Sequence, residues 1–351
     1  MTHKTDICII GAGPVGLFAA FQAGMLGMKS HIVDALDFIG GQCNALYPEK
    51  PIYDIPAYPE ISAEDLIKNL EKQASPFSPT YHLGQQVVGV DSSWLIVDGN
   101  NENPSTINNQ PSTFKITTSN NTIIEAKVII IAAGCGAFGP NKPPISGLEE
   151  FEKTGKVAYM VRSKNDFIDK NVVIAGGGDS AVDWANILSS VAKKVYVIHR
   201  RDKFRAIPES VSQMKDWEKK GKLEFVIPYQ LAGLEGENGS LKNVIVEDLD
   251  KNKKAISADN LLCFFGLAME LGPIANWGLN LHHSHIIVEP HNMQTNIEGI
   301  YAVGDICNYK GKLKLISCGF AEVAMACHSA YERVFGKPLH FEYSTSKGVP
   351  K

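Results

Sequence analysis

Two short stretches carry the residue types that chemistry would use. Residues 6–18, DICIIGAGPVGLF, pass from an apolar run into Gly11-Ala12-Gly13-Pro14-Val15-Gly16. Residues 172–181, VVIAGGGDSA, pass likewise into Gly176-Gly177-Gly178-Asp179-Ser180-Ala181. Both read as a strand, a tight turn and a helix start, an arrangement that aims backbone N–H groups and the positive end of a helix at a pyrophosphate. In the first loop, Gly11 permits the turn, Gly13 lets backbone approach the ligand, and Gly16 allows close packing of helix on strand; in the second, Ala181 is an accepted substitute for the third glycine.

The ends of the strands that follow set the two loops apart. Asp34 stands 23 residues after Gly11, where a carboxylate would accept from a ribose hydroxyl. After the second loop, KVYVI ends in His199, Arg200 and Arg201, with Arg205 four residues on. Arginines there suit a 2′-phosphate, so this loop is expected to take NADP rather than NAD. The first loop then needs another nucleotide, and two more segments suggest which. IIIAAG, 129–134, is a strand ending in small residues, and NIEGIYAVGD, 296–305, ends in Gly304-Asp305. An Asp at that point can accept from a ribityl chain while the next helix directs its positive end at a flavin ring. Four such segments in this order indicate a chain that holds both FAD and NADP.

The elements that must position these residues can be traced along the chain. One βαβ unit takes strand 6–10, a helix from about 14 and a strand at 30–34. Residues 61–74 are expected to be helical, with Ser62 as N-cap and Asp65 three residues on. HLGQQVVGV, TFKITTS and KVIIIAAG make 84–134 strand-rich, interrupted at 98–113 by DGNNENPSTINNQPST, a turn-rich insertion without periodicity. FGPNKPPISG, 138–147, suits a domain crossover and GLAMELGP, 266–273, its return; between them lies a second βαβ unit at 171–199. The apolar spacing of Phe320, Val323, Ala324, Cys327, Tyr331 and Val334 predicts a helix over 319–335. The expected class is α/β with two Rossmann-like domains, the NADP domain (143–268) inserted in an FAD domain of two pieces, 1–142 and 269–351.

Composition narrows the classes. The 351 residues are 44% hydrophobic and 21% charged with a net charge of −4, which leaves no footprint for nucleic acid. No run of 18 apolar residues suggests a membrane span, and glycines and Pro14 break the apolar start that could mimic a signal peptide. A cytoplasmic location is expected. Seven scattered cysteines with no C-x-x-C read as free thiols. HHSH, 282–285, has no Cys or carboxylate at ligand spacing, reads as a turn, and no metal is expected. Lys310, Lys312 and Lys314 alternate in NYKGKLKL and, if extended, would share one face toward an acidic partner; a solvated surface loop is the other reading.

The motif order resembles that of flavoproteins with two dinucleotide-binding domains, and GGGDSA with HRRDKFRA, 199–206, is similar to the thioredoxin reductase signature. Yet VAYMVRSKNDF, 157–167, stands where those enzymes carry C-x-x-C, and GGQCNALYP offers Cys43 but Pro48 where glutathione-reductase-type enzymes have two cysteines. One sulfur cannot shuttle electrons as a dithiol does, so disulfide reduction is not expected. GGQCNALYPEKPIYDIPAYP, 40–59, resembles instead the ferredoxin–NADP reductases built on the thioredoxin-reductase plan, and this resemblance runs through the YSTS tail at 343–346.

That resemblance implies FAD clasped by Asp34, Gln42 and Tyr47, by Val87 through its backbone, and by Phe138, Asp305 and Thr345. Tyr47 and Tyr343 would cover the two faces of the isoalloxazine, and Tyr343 would move aside for nicotinamide. His is common in the family at the tail position, and Leu where Cys43 stands; a small apolar filler is the expected role of that cysteine. Hydride would pass directly from nicotinamide to flavin with no catalytic acid or base, and electrons would leave singly to ferredoxin or flavodoxin. A homodimer is implied as well. Two other readings stay open: an NADPH-dependent flavin oxidase, quinone reductase or diaphorase, and a module that holds FAD structurally.

Overall fold

The computed structural model describes residues 2–91 and 113–339, so the insertion expected at 98–113 falls almost wholly, and Tyr343 and Thr345 fall wholly, outside the described residues. The chain divides into two compact units, Met1–Ala137 with Met269–Lys351, and Phe138–Ala268.

In the first unit the leading elements are β1 (Thr2–Ile10), α1 (Pro14–Met25), β2 (Ser30–Val33), α2 (Gln42–Leu46), α3 (Ala63–Ala74), β3 (Thr80–His82), β4 (Val87–Asp91), β5 (Phe114–Thr118) and β6 (Ile123–Ile131). Their sheet runs β3-β2-β1-β6-β5-β4. Ile7, Cys8 and Ile9 are fully buried, as a strand covered on both faces requires. Nine-residue β6 serves two neighbours on one side: Ile123–Ala126 pair antiparallel with β5, and Ile129–Ile131 pair parallel with a late strand, Ile300–Ala302. Helix α3 begins as its spacing predicts, with Ser62 Oγ accepting from Asp65 N at 3.1 Å, and buries Leu66, Ile67 and Leu70. HLGQQVVGV is not one strand; it closes β3 at His82, turns, and opens β4 at Val87.

The second unit contains β7 (Val157–Ala158), β8 (Asn171–Ala175), α4 (Asp179–Ser189), β9 (Lys194–Ile198), α5 (Pro208–Lys219), β10 (Leu223–Val226), the meander β11 (Gln230–Glu237), β12 (Ser240–Glu247) and β13 (Lys253–Ser257), and β14 (Asn260–Cys263). Its main sheet is parallel, ordered β7-β14-β8-β9-β10. The two crossings, Ala137–Pro140 and Leu267–Glu270, are themselves short strands paired with each other.

The chain returns to the first unit through β15 (Ile300–Ala302) and α6 (Ile316–Phe335). Helix α6 starts three residues earlier than its apolar spacing predicts, because Leu315 is extended and serves as N-cap, and it ends on Gly336 at φ +68°. HHSH forms the expected turn: Leu281–His282 pairs antiparallel with His285–Ile287, and His283 takes φ +53° between them. In each unit the strand before the glycine loop (β1 or β8) lies between the next strand in sequence and a later one. This places both loops at the carboxyl ends of strands where the strand order reverses, the ligand crevice of open α/β sheets. No helix among the described residues is long and apolar enough to cross a membrane.

Candidate functional site

The first loop is built from backbone. Gly11, at φ +110°, donates its N–H to Val33 O at 2.8 Å. A side chain at Gly11 would strike the Ala132 carbonyl, and one at Gly16 would strike that of Gly11. A Cβ at Gly13, in contrast, would meet nothing within 4 Å: the N-terminus of α1 faces open space. Gly13 caps α1 without any side-chain hydrogen bond, and no acidic residue sits in the first turn. Asp34 is stitched into this loop, its Oδ2 accepting from Ala12 N at 2.6 Å and its Oδ1 from Leu36 N at 2.8 Å. Burial raises its pKa, and the two backbone donors oppose the rise.

A second helix start meets the first. Helix α6 also lacks a side-chain cap and an acidic first turn. A Cβ at its Gly319 would lie 2.6 Å from Val15 Cγ2, so the positive ends of α1 and α6 adjoin. Between them sits the turn Gly304–Ile306, with Gly304 at φ +76° and Asp305 next to it. The turn is held from below by Glu322, 1% exposed, whose Oε2 accepts from Gly304 N at 2.7 Å and whose Oε1 accepts from Tyr309 Oη at 2.8 Å and Lys312 Nζ at 2.5 Å.

This overturns the expected lysine face. Lys312 N bonds to Tyr309 O in a turn, its side chain is only 5% exposed, and its ammonium is paired with Glu322. Lys314 Nζ lies 2.9 Å from His285 Nε2. Neither the extended face nor a wholly solvated loop describes this segment, because a turn at Lys310–Gly311 directs the middle lysine inward.

Around the same cradle, a Cβ on Gly41, at φ +54°, would stand 3.1 Å from Gly13 Cα, and Gln42 opens α2, with its Nε2 3.4 Å from where a Cβ on Gly134 would stand. Tyr47 follows α2; its hydroxyl is 3.9 Å from Cys43 Sγ, and Lys50 Nζ stands 5.6 Å from its ring. Burial, then the neighbouring Cys43 and Asp305, push the Tyr47 phenol up, keeping it protonated. Cys43 is 2% exposed and its thiol is raised to about 11, mainly by burial. Val87 is buried at the start of β4, paired with Thr118, and Phe138 lies on Ala137–Pro140.

The cysteines make a checkable case. Burial raises Cys8, Cys263, Cys307 and Cys327 to about 12, whereas Cys135 and Cys318 are half-buried. Burial therefore keeps the Cys43 thiol in its unreactive, protonated form near neutral pH. Native alkylation followed by peptide mass mapping is expected to label Cys135 and Cys318 and to leave Cys43 unlabelled until the chain is denatured.

The second loop repeats the design with a different second strand. Gly176, at φ +151°, bonds through its N–H to Ile198 O, and a side chain there would press on Phe264 O. Gly178 caps α4 with open space where a Cβ would stand; Asp179 and Ser180 begin the helix, and Ala181, fully buried, fills the third glycine place. Gly177, between the two glycines of the motif, has a role that spacing does not show. A Cβ there would collide with the His199 imidazole, which is stacked 5.2 Å from the Phe204 ring. His199 thus packs beneath the loop and supports it. Burial holds its pKa low, with Arg200, Arg201 and Arg205 adding to the effect.

Arg205 N donates to Gly177 O at 2.7 Å, which returns the chain after β9 to the loop. Arg200, Arg201 and Arg205 are all exposed, and none is paired with a carboxylate among the described residues. Three guanidiniums at a strand end beside an open helix start fit a ligand with a phosphate on its ribose. At the first loop, a side-chain-free cradle, two adjoining helix starts and a strand-end carboxylate fit a dinucleotide without one.

Comparison with known proteins accords with this arrangement. A family model described as pyridine nucleotide-disulphide oxidoreductase matches residues 5–330. Curated ferredoxin–NADP reductases from Rickettsia felis and Rickettsia canadensis are each 59% identical, over 99% of this chain and 98% of the first, and over 98% of this chain and 97% of the second. Among solved structures, a thioredoxin reductase from T. acidophilum superposes with a TM-score of 0.78 at 22% identity, covering 94% of this chain and 98% of its own. One from Lactococcus lactis gives 0.77 at 25% identity, covering 95% and 100%.

Proposed function

Because the chain belongs to the ferredoxin–NADP reductases within the pyridine nucleotide-disulphide oxidoreductase family, we propose that it moves electrons between NADPH and a one-electron carrier, ferredoxin or flavodoxin, through bound FAD and without a redox disulfide. The observation that carries this reading is the contrast between the loops: Asp34 bonded into the first, three free arginines beside the second. Bound FAD would supply the conversion between a two-electron hydride and single electrons.

The residues divide the work of holding it. Gly11, Gly13, Val15 and Gly16 leave the pyrophosphate room against the start of α1, and Asp34 has lone pairs left for ribose hydroxyls. Asp305 and the positive start of α6 would stand beside the flavin, with Gln42 and Tyr47 contributing from the α2 side and Val87 through its backbone, and the family resemblance assigns Phe138, Tyr343 and Thr345 to the same cofactor. Gly176, Gly178, Asp179, Ser180, Ala181, His199, Arg200, Arg201 and Arg205 would hold NADPH. Tyr47, kept protonated by burial, would cover bound flavin and exclude water, and no residue need move a proton.

One substitution, one truncation and one transfer experiment test this. Asp34→Ala removes the ribose acceptor and frees two backbone N–H groups, and is expected to weaken FAD retention at least about tenfold, roughly the value of a charge-assisted hydrogen bond; unchanged flavin content after gel filtration would count against the assignment. Removing residues 343–351 is expected to alter hydride-transfer rate or NADP affinity. Stopped-flow reduction by NADPH, followed by mixing with ferredoxin or flavodoxin, should show rapid electron transfer to the carrier; reoxidation faster with O₂ or a quinone than with either carrier would favour an oxidase or quinone reductase. A cytoplasmic homodimer completes the proposal, checked by fractionation and light scattering.

A further inference from the structure

Outside both cradles, three histidines remote in sequence come together. His3, His31 and His82 stand on β1, β2 and β3, successive strands of the first sheet. One imidazole nitrogen from each lies within 4.8 Å of the others. His31 Nδ1 is 2.9 Å from His82 Nε2, and the two rings stack with centroids 5.1 Å apart. The His3 ring meets both more steeply, at 5.6 Å and 57° to His31 and at 5.0 Å and 69° to His82. His82 is buried, and the other two are half-buried. No Cys, Asp or Glu among the described residues completes the group.

We propose that His3, His31 and His82 form a binding site for one divalent transition-metal ion, Zn²⁺ foremost, that clamps three strands of the first unit. Three imidazoles match the preference of Zn²⁺, Ni²⁺ and Cu²⁺ for nitrogen donors and leave Mg²⁺ and Ca²⁺, which need oxygen ligands, unserved. Half-exposure of His3 and His31 leaves a fourth position to water. Tetrahedral Zn–N bonds of about 2.05 Å place nitrogens roughly 3.3 Å apart. His31 and His82 nitrogens are already 2.9 Å apart and all three lie within 4.8 Å of one another, close to that spacing. The site also reaches the first cradle through backbone. His31 lies three residues before Asp34 on the same segment, and the His82 carbonyl accepts from Asp34 N at 3.1 Å. A bound ion therefore ties together the strand ends from which Asp34 extends.

Binding is tested on the flavin-loaded full chain after chelator treatment and dialysis, so the outcome is independent of the reductase reading. Zn²⁺ titrated against a chromogenic chelator is expected to show one tight equivalent and to raise the melting temperature, whereas Mg²⁺ does neither. Co²⁺ in its place is expected to give visible bands of a tetrahedral nitrogen–oxygen site, without the thiolate charge transfer that a cysteine site would add. His3→Ala is expected to weaken Zn²⁺ binding by about 100-fold or more, since losing even an outer-shell partner commonly costs 10–100-fold. His3→Gln checks that the loss follows the ligand rather than the strand, and both variants should retain flavin and NADPH turnover. No stoichiometric uptake by the parent protein, thiolate charge transfer with Co²⁺, or parental affinity in both His3 variants would each overturn the proposal.

Discussion

Replacing Arg200, Arg201 and Arg205 together by alanine is expected to lower kcat/KM with NADPH by roughly 10²–10³-fold while changing it with NADH only a few-fold. A charge-assisted hydrogen bond to phosphate contributes about 1.5–3 kcal/mol, and exposure of all three side chains argues for the lower end or below. Three partly screened contacts therefore total about 3–4 kcal/mol, which is the stated factor at about 1.4 kcal/mol per tenfold. The loop should survive the change. Its link to this segment is the Arg205 N–H bonding to Gly177 O, which any residue supplies, and its support is the His199 ring. Steady-state kinetics with both nucleotides at low and high salt decide the matter. The NADPH advantage should shrink with salt in the parent and be nearly salt-independent in the triple variant. Equal losses with both nucleotides would show that the arginines hold the fold and not a phosphate.

What could be read from sequence follows from distance along the chain. Both glycine loops, the Ser62–Asp65 cap and Asp34 at the end of β2 lie within one βαβ unit or one helix turn, where spacing fixes geometry. Contacts between remote segments could not be read this way. Gly177 looks like spare glycine until His199, from the next strand, fills the space where its side chain would stand. Lys312 looks like one of three surface lysines because its partner is ten residues away on a helix whose register the sequence only approximates. Glu322 falls among the apolar positions of α6 and marked no site. The three histidines come from strands that pairing alone makes neighbours, so no local pattern signals them.

Glu322→Ala is expected to be the most damaging single change in the first unit, lowering its stability by about 3–5 kcal/mol, the usual result of breaking a buried ion pair from one side. Four donors converge on this carboxylate: Gly304 N, Tyr309 Oη, Lys312 Nζ, and Cys307 Sγ at 3.6 Å. Burial and the carboxylate push the Tyr309 phenol up and raise the Cys307 thiol to about 12, so both stay protonated and able to donate. Alanine would leave Lys312 as a buried unpaired cation and would remove the acceptor that holds Gly304 N in the turn that presents Asp305 beside the start of α6. Flavin should therefore be lost at lower temperature than the rest of the chain unfolds. Glu322→Gln keeps one acceptor oxygen and little of the charge compensation, and should fall in between. Lys312→Met in the Glu322→Gln background removes the unpaired cation and should recover part of the loss, giving a coupling energy of about 1–3 kcal/mol in a double-mutant cycle. Flavin fluorescence melting and denaturant midpoints for the parent, Glu322→Gln, Lys312→Met and the double variant measure it. Additive effects of the two substitutions, or normal flavin retention in Glu322→Ala, would mean that the turn at Gly304 is held by its own backbone and not by the helix beneath it.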